Sequence, residues 1–277
     1  MAILKEITAL SEVLLGSLNP PEIRHIHLPP LTSEEENADE FGIVFLEDGS
    51  IGPFYCSLED TLPYLHHRAK TPTVDALPEL LDSHTIGERA LGIGIFNALS
   101  AYLMRKAGFR PDRAPRETGE RTPAAGETVG MVGYFCPLVT RLVDEGSNVI
   151  VLERQPERVE ARSGVTVATN PDAIGRCRTV ICTAATLIND SLEEILQAAR
   201  SAESFSLIGP TASGLPDAVF KHGVTATGGV WFEDHRALEE KLDRQESWGK
   251  AGQKFQLTPH NYPGLEKLLA AACKVDE

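Results

Sequence analysis

The stretch that decides the fold is TVGMVGYFCPLVTRLVDEGSNVIVLER, Thr128 to Arg154. It opens with a short apolar run, Thr128 to Gly133, of strand length and β-branched composition. Pro137 to Glu145 follows with helical spacing and Gly146 as its cap. Asn148 to Leu152 is a second apolar run, with Glu153 immediately after it. Strand, helix and strand in this compass read as a βαβ unit with parallel strands and a right-handed crossover.

The same alternation continues downstream. Thr166 to Ala168, Thr179 to Cys182, Phe205 to Ile208 and Val224 to Thr227 read as strands, and Ser191 to Ala199 and Pro216 to Phe220 as helices. Continuous apolar strands alternating with helices imply a parallel sheet covered on both faces, a doubly wound, Rossmann-like α/β domain.

Upstream the pattern differs. Ile3 to Leu15 has helical apolar spacing and stops at Pro20-Pro21. Phe41 to Leu46 and Ile51 to Tyr55 read as a β-hairpin turned at Asp48-Gly49. Ile86 to Lys106 is the longest helix, ended by Gly108 and Pro111. This is a small α+β unit. Pro111 to Glu127 (PDRAPRETGERTPAAGE) has no apolar period and carries prolines, glycines and charges, the composition of a linker. The expected division is 1–110, a linker at 111–127, and 128–277.

Composition narrows the function. Of 277 residues 42% are hydrophobic and 24% charged, as in a globular protein, and the net charge of −14 disfavours a nucleic-acid partner. Lys5, Glu6 and Glu12 interrupt the N-terminal apolar residues, unlike a signal peptide, and no apolar run reaches the roughly 18 residues of a membrane span. A cytoplasmic location is expected, with no membrane partner. Five cysteines without a CxxC motif suggest neither a disulfide framework nor a zinc ribbon. Homodimerisation is an expectation from the frequency of symmetric dimers alone.

In a doubly wound sheet, ligands bind beyond the carboxyl ends of the strands, where strand order reverses. The first turn there, Gly130 to Pro137, includes Gly130, Gly133 and Tyr134 but lacks the full GxGxxG fingerprint, so it is either a phosphate-facing loop or a tight turn. Glu153 lies about twenty residues after Gly133, where an acidic residue bonds ribose hydroxyls in dinucleotide-binding folds, and is otherwise a solvated strand-end carboxylate. Thr183, Thr186 and Asn189 precede a helix and serve as caps or as a polar face toward ligand. Gly209, Pro210 and Thr211 follow the fifth strand and Gly228-Gly229 the last, where small residues let backbone NH groups approach an anion.

Cys136 and Cys182 reach the same edge by this reading. With Glu153 they would form a thiolate and carboxylate set for a soft or borderline divalent metal, or else they are small buried hydrophobes. Asn97 is an amide on an otherwise apolar or small stripe of the long helix, either a core asparagine bonded to backbone or a ligand contact from the other domain. His66-His67, His84, His222 and His235 have no ligand spacing.

Gly133-Tyr134-Phe135, Leu152-Glu153-Arg154, Thr186-Leu187-Ile188-Asn189, Ile208-Gly209-Pro210-Thr211 and Gly223-Val224 to Gly228-Gly229, in this order, resemble the heavy-metal-chelation family. Gly87-Glu88-Arg89-Ala90-Leu91-Gly92 with Phe96-Asn97-Ala98 is similar to that family's N-terminal signature. The resemblance implies a domain like the enolase N-terminal fold, a Rossmann-like domain, and a site between them. Carried over, that site comprises Gly133, Tyr134, Glu153, Thr186, Asn189, Gly209, Pro210 and Thr211, with Asn97 from the other domain. Ala184-Ala185 stands where the resemblance leads one to expect glycine or threonine.

Two functions follow as expectations. One is binding of a transition metal or metal-bearing small molecule, in metal handling or cofactor assembly. The other is an enzyme that uses a nucleotide-like cofactor, such as a methyl donor, on the same sheet edge.

Overall fold

The computed structural model describes residues 2–31, 40–68, 70–114 and 121–274; the middle of the expected linker, 115–120, lies outside the described residues. Helix α1 (Ala2–Ser17) buries Ile3, Leu4, Ile7 and Leu14 along one stripe. Strands β1 (Ile23–His27), β2 (Phe41–Leu46) and β3 (Ile51–Tyr55) form a three-stranded antiparallel sheet in that order. The hairpin turns where expected. Gly49 has a φ of 87°, and the Asp48 carboxylate accepts from the Ser50 amide at 3.0 Å.

Helices α2 (Thr61–His67) and α3 (Leu77–Leu81) lead to α4 (Ile86–Lys106). Helix α4 lies directly against β3. A Cβ placed on Gly52 would sit 2.0 Å from the Gly94 carbonyl oxygen, so only glycine permits this approach. The helix ends as its sequence implies: Gly108 has a φ of 68°, and the Phe109 amide reaches back to the Met104 carbonyl at 2.8 Å.

The second sheet contains β4 (Thr128–Val132), β5 (Asn148–Leu152), β6 (Val165–Ala168), β7 (Thr179–Thr183), β8 (Ser204–Ile208), β9 (Ala226–Trp231) and β10 (Gln253–Leu257). Its helices are α5 (Cys136–Asp144), α6 (Ala185–Ile188), α7 (Leu192–Ala198), α8 (Asp217–Lys221), α9 (His235–Asp243) and α10 (Leu265–Cys273). The strand order is β10-β9-β8-β7-β4-β5-β6, all parallel except β10, which runs antiparallel to β9. This is the doubly wound order, and it reverses between β4 and β7.

The last expected strand needs correction. It begins at Ala226 and runs to Trp231, so Gly228 and Gly229 lie inside β9 rather than in a loop after it. Their backbone pairs with Gln256 and Phe255 of β10, a strand that prolongs β9 beyond the reach of β8. Gly130 is likewise interior to β4, with Ile174 packed over it, and does not belong to the turn.

Opposite faces of the three-stranded sheet are both covered. Val44, Leu46 and Phe54 join α4 in one core, which continues through Ile95 and Leu99 to Leu207 and Phe255 of the second sheet and to Leu215 in the loop after β8. Ile43, Phe45 and Ile51 pack on Phe232, Leu238, Leu242 and Trp248. Helix α9 therefore returns to cover the N-terminal sheet. No helix among the described residues is long and apolar enough to cross a membrane.

Candidate functional site

The carboxyl ends of β4, β5, β7 and β8 face the edge of the antiparallel sheet across a cavity of about 810 Å³. Its floor is the point where strand order reverses. Its opposite wall includes Phe41, Tyr55 and Leu58. The volume suits a small organic molecule.

Most of the expected site residues line this cavity: Gly133, Tyr134, Glu153, Thr183, Thr186, Asn189, Gly209, Pro210, Thr211, Gly228 and Gly229. Gly133, with a φ of 82°, turns the chain out of β4 and donates its amide to the Leu152 carbonyl at 2.9 Å. A side chain there would also meet Thr183 at 3.0 Å. Gly209 has a φ of 120°, and nothing lies within 4 Å of where its Cβ would be. Its bare backbone borders the cavity.

Glu153 leaves the end of β5 with its amide held by the Ala168 carbonyl at 3.0 Å, and one carboxylate oxygen accepts from the Gln155 amide at 3.2 Å. The hydroxyls of Thr183 and Thr186 are engaged locally: Thr186 Oγ1 donates to the Thr183 carbonyl at 2.7 Å, and Thr183 Oγ1 accepts from the Ala185 amide at 3.3 Å. These threonines shape the short helix α6. Asn189 Oδ1 accepts from the Ser191 amide and hydroxyl, an Asx turn that fixes its side chain at the cavity wall.

Asn97 and Gly130 do not line the cavity. Asn97 is 1% exposed, and its Nδ2 donates to the carbonyls of Pro53 at 2.8 Å and Thr211 at 3.0 Å. Of the two expectations for this amide, the core role is the one its bonds fill. It ties β3 to the loop after β8, and the Tyr55 amide strengthens the tie by donating to Thr211 Oγ1 at 3.0 Å.

The expected trio of Glu153, Cys136 and Cys182 does not assemble. Cys182 is 0% exposed, its sulfur lies 3.5 Å from Thr186 Oγ1, and burial pushes its thiol up to about 12. Alternation along β7 turns it into the core, away from Thr183. Cys136 is exposed at the start of α5 but is not part of the cavity wall. Its hydrogen bond with Tyr134 raises the phenol's pKa. Among the described residues no group of three or more His, Cys, Asp or Glu is placed to hold a metal ion.

The cavity also gathers groups that pattern reading passed over. Tyr55 Oη donates to Glu40 at 3.1 Å, and Arg158 lies 3.9 Å from the same carboxylate. Burial, reinforced by Glu40, raises the Tyr55 pKa. Arg154, Glu194 and Lys254 complete a mouth of mixed charge. The available signal was Tyr55 at the end of a hairpin strand, but nothing linear announces which sheet it will face.

The comparisons agree with this architecture. Two solved structures share the fold, each titled as a protein with unknown function from the DUF364 family. The one from Pyrococcus horikoshii has a TM-score of 0.68 at 19% identity, covering 92% of this chain and 99% of that one. The one from Desulfitobacterium hafniense has a TM-score of 0.63 at 18% identity, covering 92% and 98%. An uncharacterized protein of Methanocaldococcus jannaschii is 30% identical over 148 residues, 53% of this chain and 55% of that protein, so the match spans about half the relative's length. The DUF364 family, described as "Putative heavy-metal chelation", matches residues 120–258, half of the chain and all seven strands of the second sheet. The chain therefore belongs to this family.

Proposed function

We propose that the cavity binds an organic small molecule that carries or chelates a transition or heavy metal, as cargo in metal handling or cofactor assembly. In this reading 1–110 and 128–277 are two domains, 111–127 joins them, and the ligand sits between. The family description supports metal chelation in general. The observation that carries the finer statement is the donor set of the cavity wall. It offers the carboxylates of Glu40, Glu153 and Glu194 but neither imidazole nor thiol, within about 810 Å³. Such a wall does not fit a bare soft cation, which takes sulfur and nitrogen donors. It fits a ligand that brings its own donors and needs only shape, backbone NH groups and an anionic contact from Glu153.

A second reading rests on a separate observation. Glu153 follows the strand next to β4 at the reversal of strand order, where a carboxylate accepts from ribose hydroxyls, so a nucleoside cofactor such as a methyl donor would fit the same floor. The chain would then be an enzyme.

Native mass spectrometry with elemental analysis of freshly purified protein separates the two. A metallated molecule that co-purifies with the wild type and is lost in Glu153→Ala supports chelation. A nucleoside whose binding weakens by about 1.5–3 kcal/mol in that variant, the range for a hydrogen bond to a charged group, moves the assignment to the enzyme. Protein that neither retains nor rebinds either class overturns both.

A further inference from the structure

We propose that the ligand of the cavity is an organic anion, and that a carboxylate or phosphate group on it docks on Arg154 and Arg158 in the turn after β5. The inference rests on the reading of the cavity as a small-molecule site and adds the charge of the molecule it takes. Six charged side chains line the wall, Glu40, Glu153 and Glu194 against Arg154, Arg158 and Lys254. The whole chain has 26 Lys and Arg against 40 Asp and Glu, so an even count makes the cavity positive relative to the rest of the molecule.

The two signs differ in how they are satisfied. Glu40 accepts from Tyr55 Oη at 3.1 Å, and Glu153 accepts from the Gln155 amide at 3.2 Å. The Arg154 guanidinium has no hydrogen bond or ion pair among the described residues. Arg158 Nη2 stands 3.9 Å from Glu40 Oε1, beyond hydrogen-bond reach, at an oxygen that Tyr55 already occupies. An exposed contact of that length contributes little, so an arriving anion displaces almost nothing. The demand that these side chains leave open is for negative charge.

The turn that carries the two arginines is held at both ends. At its start the Glu153 amide donates to the Ala168 carbonyl at 3.0 Å. At its end Pro156–Arg158 make one 3-10 turn, with the Arg158 amide on the Gln155 carbonyl at 3.0 Å and the Val159 amide on the Pro156 carbonyl at 3.1 Å. Val159 is buried in the core that Met131 and Val151 share with α5. Two planar guanidinium forks are thus presented from a pinned backbone, and each matches the paired oxygens of a carboxylate or phosphate. Lys254 stands apart. Strand β10 is five strand positions from β5, about 24 Å at the usual spacing, too far to share one anion with the arginines.

The test is isothermal titration calorimetry of the full chain with metal-free citrate and, separately, inorganic pyrophosphate, which tell a carboxylate site from a phosphate site. The expected result is saturable binding of at least one of them, one per chain. Arg154→Gln and Arg158→Gln should each weaken it at least about tenfold, the loss of one charge-assisted hydrogen bond. Arg176→Gln makes the same charge change at an exposed position just before β7, on the opposite edge of the sheet, and should leave binding unchanged. Failure of both anions to saturate overturns the proposal, as does an equal loss in Arg176→Gln, which would reduce the effect to net charge. Anion binding that needs the two arginines, in protein that retains no metal, keeps this inference and removes the metal cargo. A co-purifying metal-bearing molecule with no anionic group keeps the cargo and overturns this inference.

Discussion

Asn97 shows how much one side chain decides here. It sits on α4 with no access to solvent, and a single amide nitrogen satisfies a carbonyl of β3 and a carbonyl of the loop that borders the cavity. Asn97→Ala should therefore leave two buried acceptors unpaired and cost about 2–4 kcal/mol, measured by urea denaturation. A loss below about 0.5 kcal/mol would mean that water replaces the amide. Asn97 stood out in the sequence as a polar residue on an apolar stripe, but its partners are backbone atoms and leave no residue signal. Glu153 and Gly133 were legible because strand ends are legible and the fold puts ligands there. Cys182 was legible as a choice between metal ligand and small buried hydrophobe, and it is the second, because in a strand buried on both faces either side of the strand leads into packed core. The Tyr55, Glu40 and Arg158 cluster was not legible, since it exists only where the two sheets meet.

Elements with one dominant period were readable almost to the residue. The hairpin strands and α4 have the expected bounds, and β5 runs over Asn148–Leu152 as read. Strand β1 escaped because an irregularity between Ile23 and His25 breaks its alternation. Strand β10 and helix α9 carry weaker signals: Phe255 and Leu257 alternate with polar neighbours, and Asp234 caps the amides of Arg236 and Ala237 ahead of Leu238 and Leu242. Pairing with β10 is what carries β9 on through Gly228 and Gly229. The entry to β4 carries a prediction of its own. Glu127 binds Arg121, accepts from Thr179 Oγ1 at 3.1 Å and from the Ala124 amide at 3.1 Å, and so knits the starts of β4 and β7. Arg121 above all lowers its pKa from 4.5 to about 2. A carboxylate with a depressed folded-state value stabilises the fold above its unfolded value and loses that contribution as pH falls through the folded one. Solvent screening of this partly exposed pair limits the effect, so stability should fall by up to about 1 kcal/mol on account of this group as pH drops from about 4.5 to about 2. Glu127→Gln should be less stable at neutral pH and show a shallower acid limb in urea melts; an unchanged limb would remove Glu127 from the account.

At the scale of the whole molecule, the sequence changes character at the 111–127 segment while the apolar core does not stop there. One contiguous cluster joins Ile3, Ile95 and Leu99 to Leu207, Leu215 and Phe255. Helix α9 packs back on the antiparallel sheet from the other side, and the amide of Asn97 bridges β3 and the loop after β8. Composition reports chain segments, and it reported a boundary in the chain; packing across that boundary depends on side chains far apart in sequence. Separating the sheets would expose apolar area from both at once, so neither should retain its stability when the other is lost. Hydrogen exchange followed by mass spectrometry across a urea series should find peptides from α4 and from β4 and β7 losing protection at the same urea concentration, in one cooperative transition. If the peptides from 1–110 open first while β4 to β8 stay protected, the shared core contributes little to cohesion. The cavity between the sheets would then be free to open without unfolding, and ligand binding would have to supply the cohesion that packing does not.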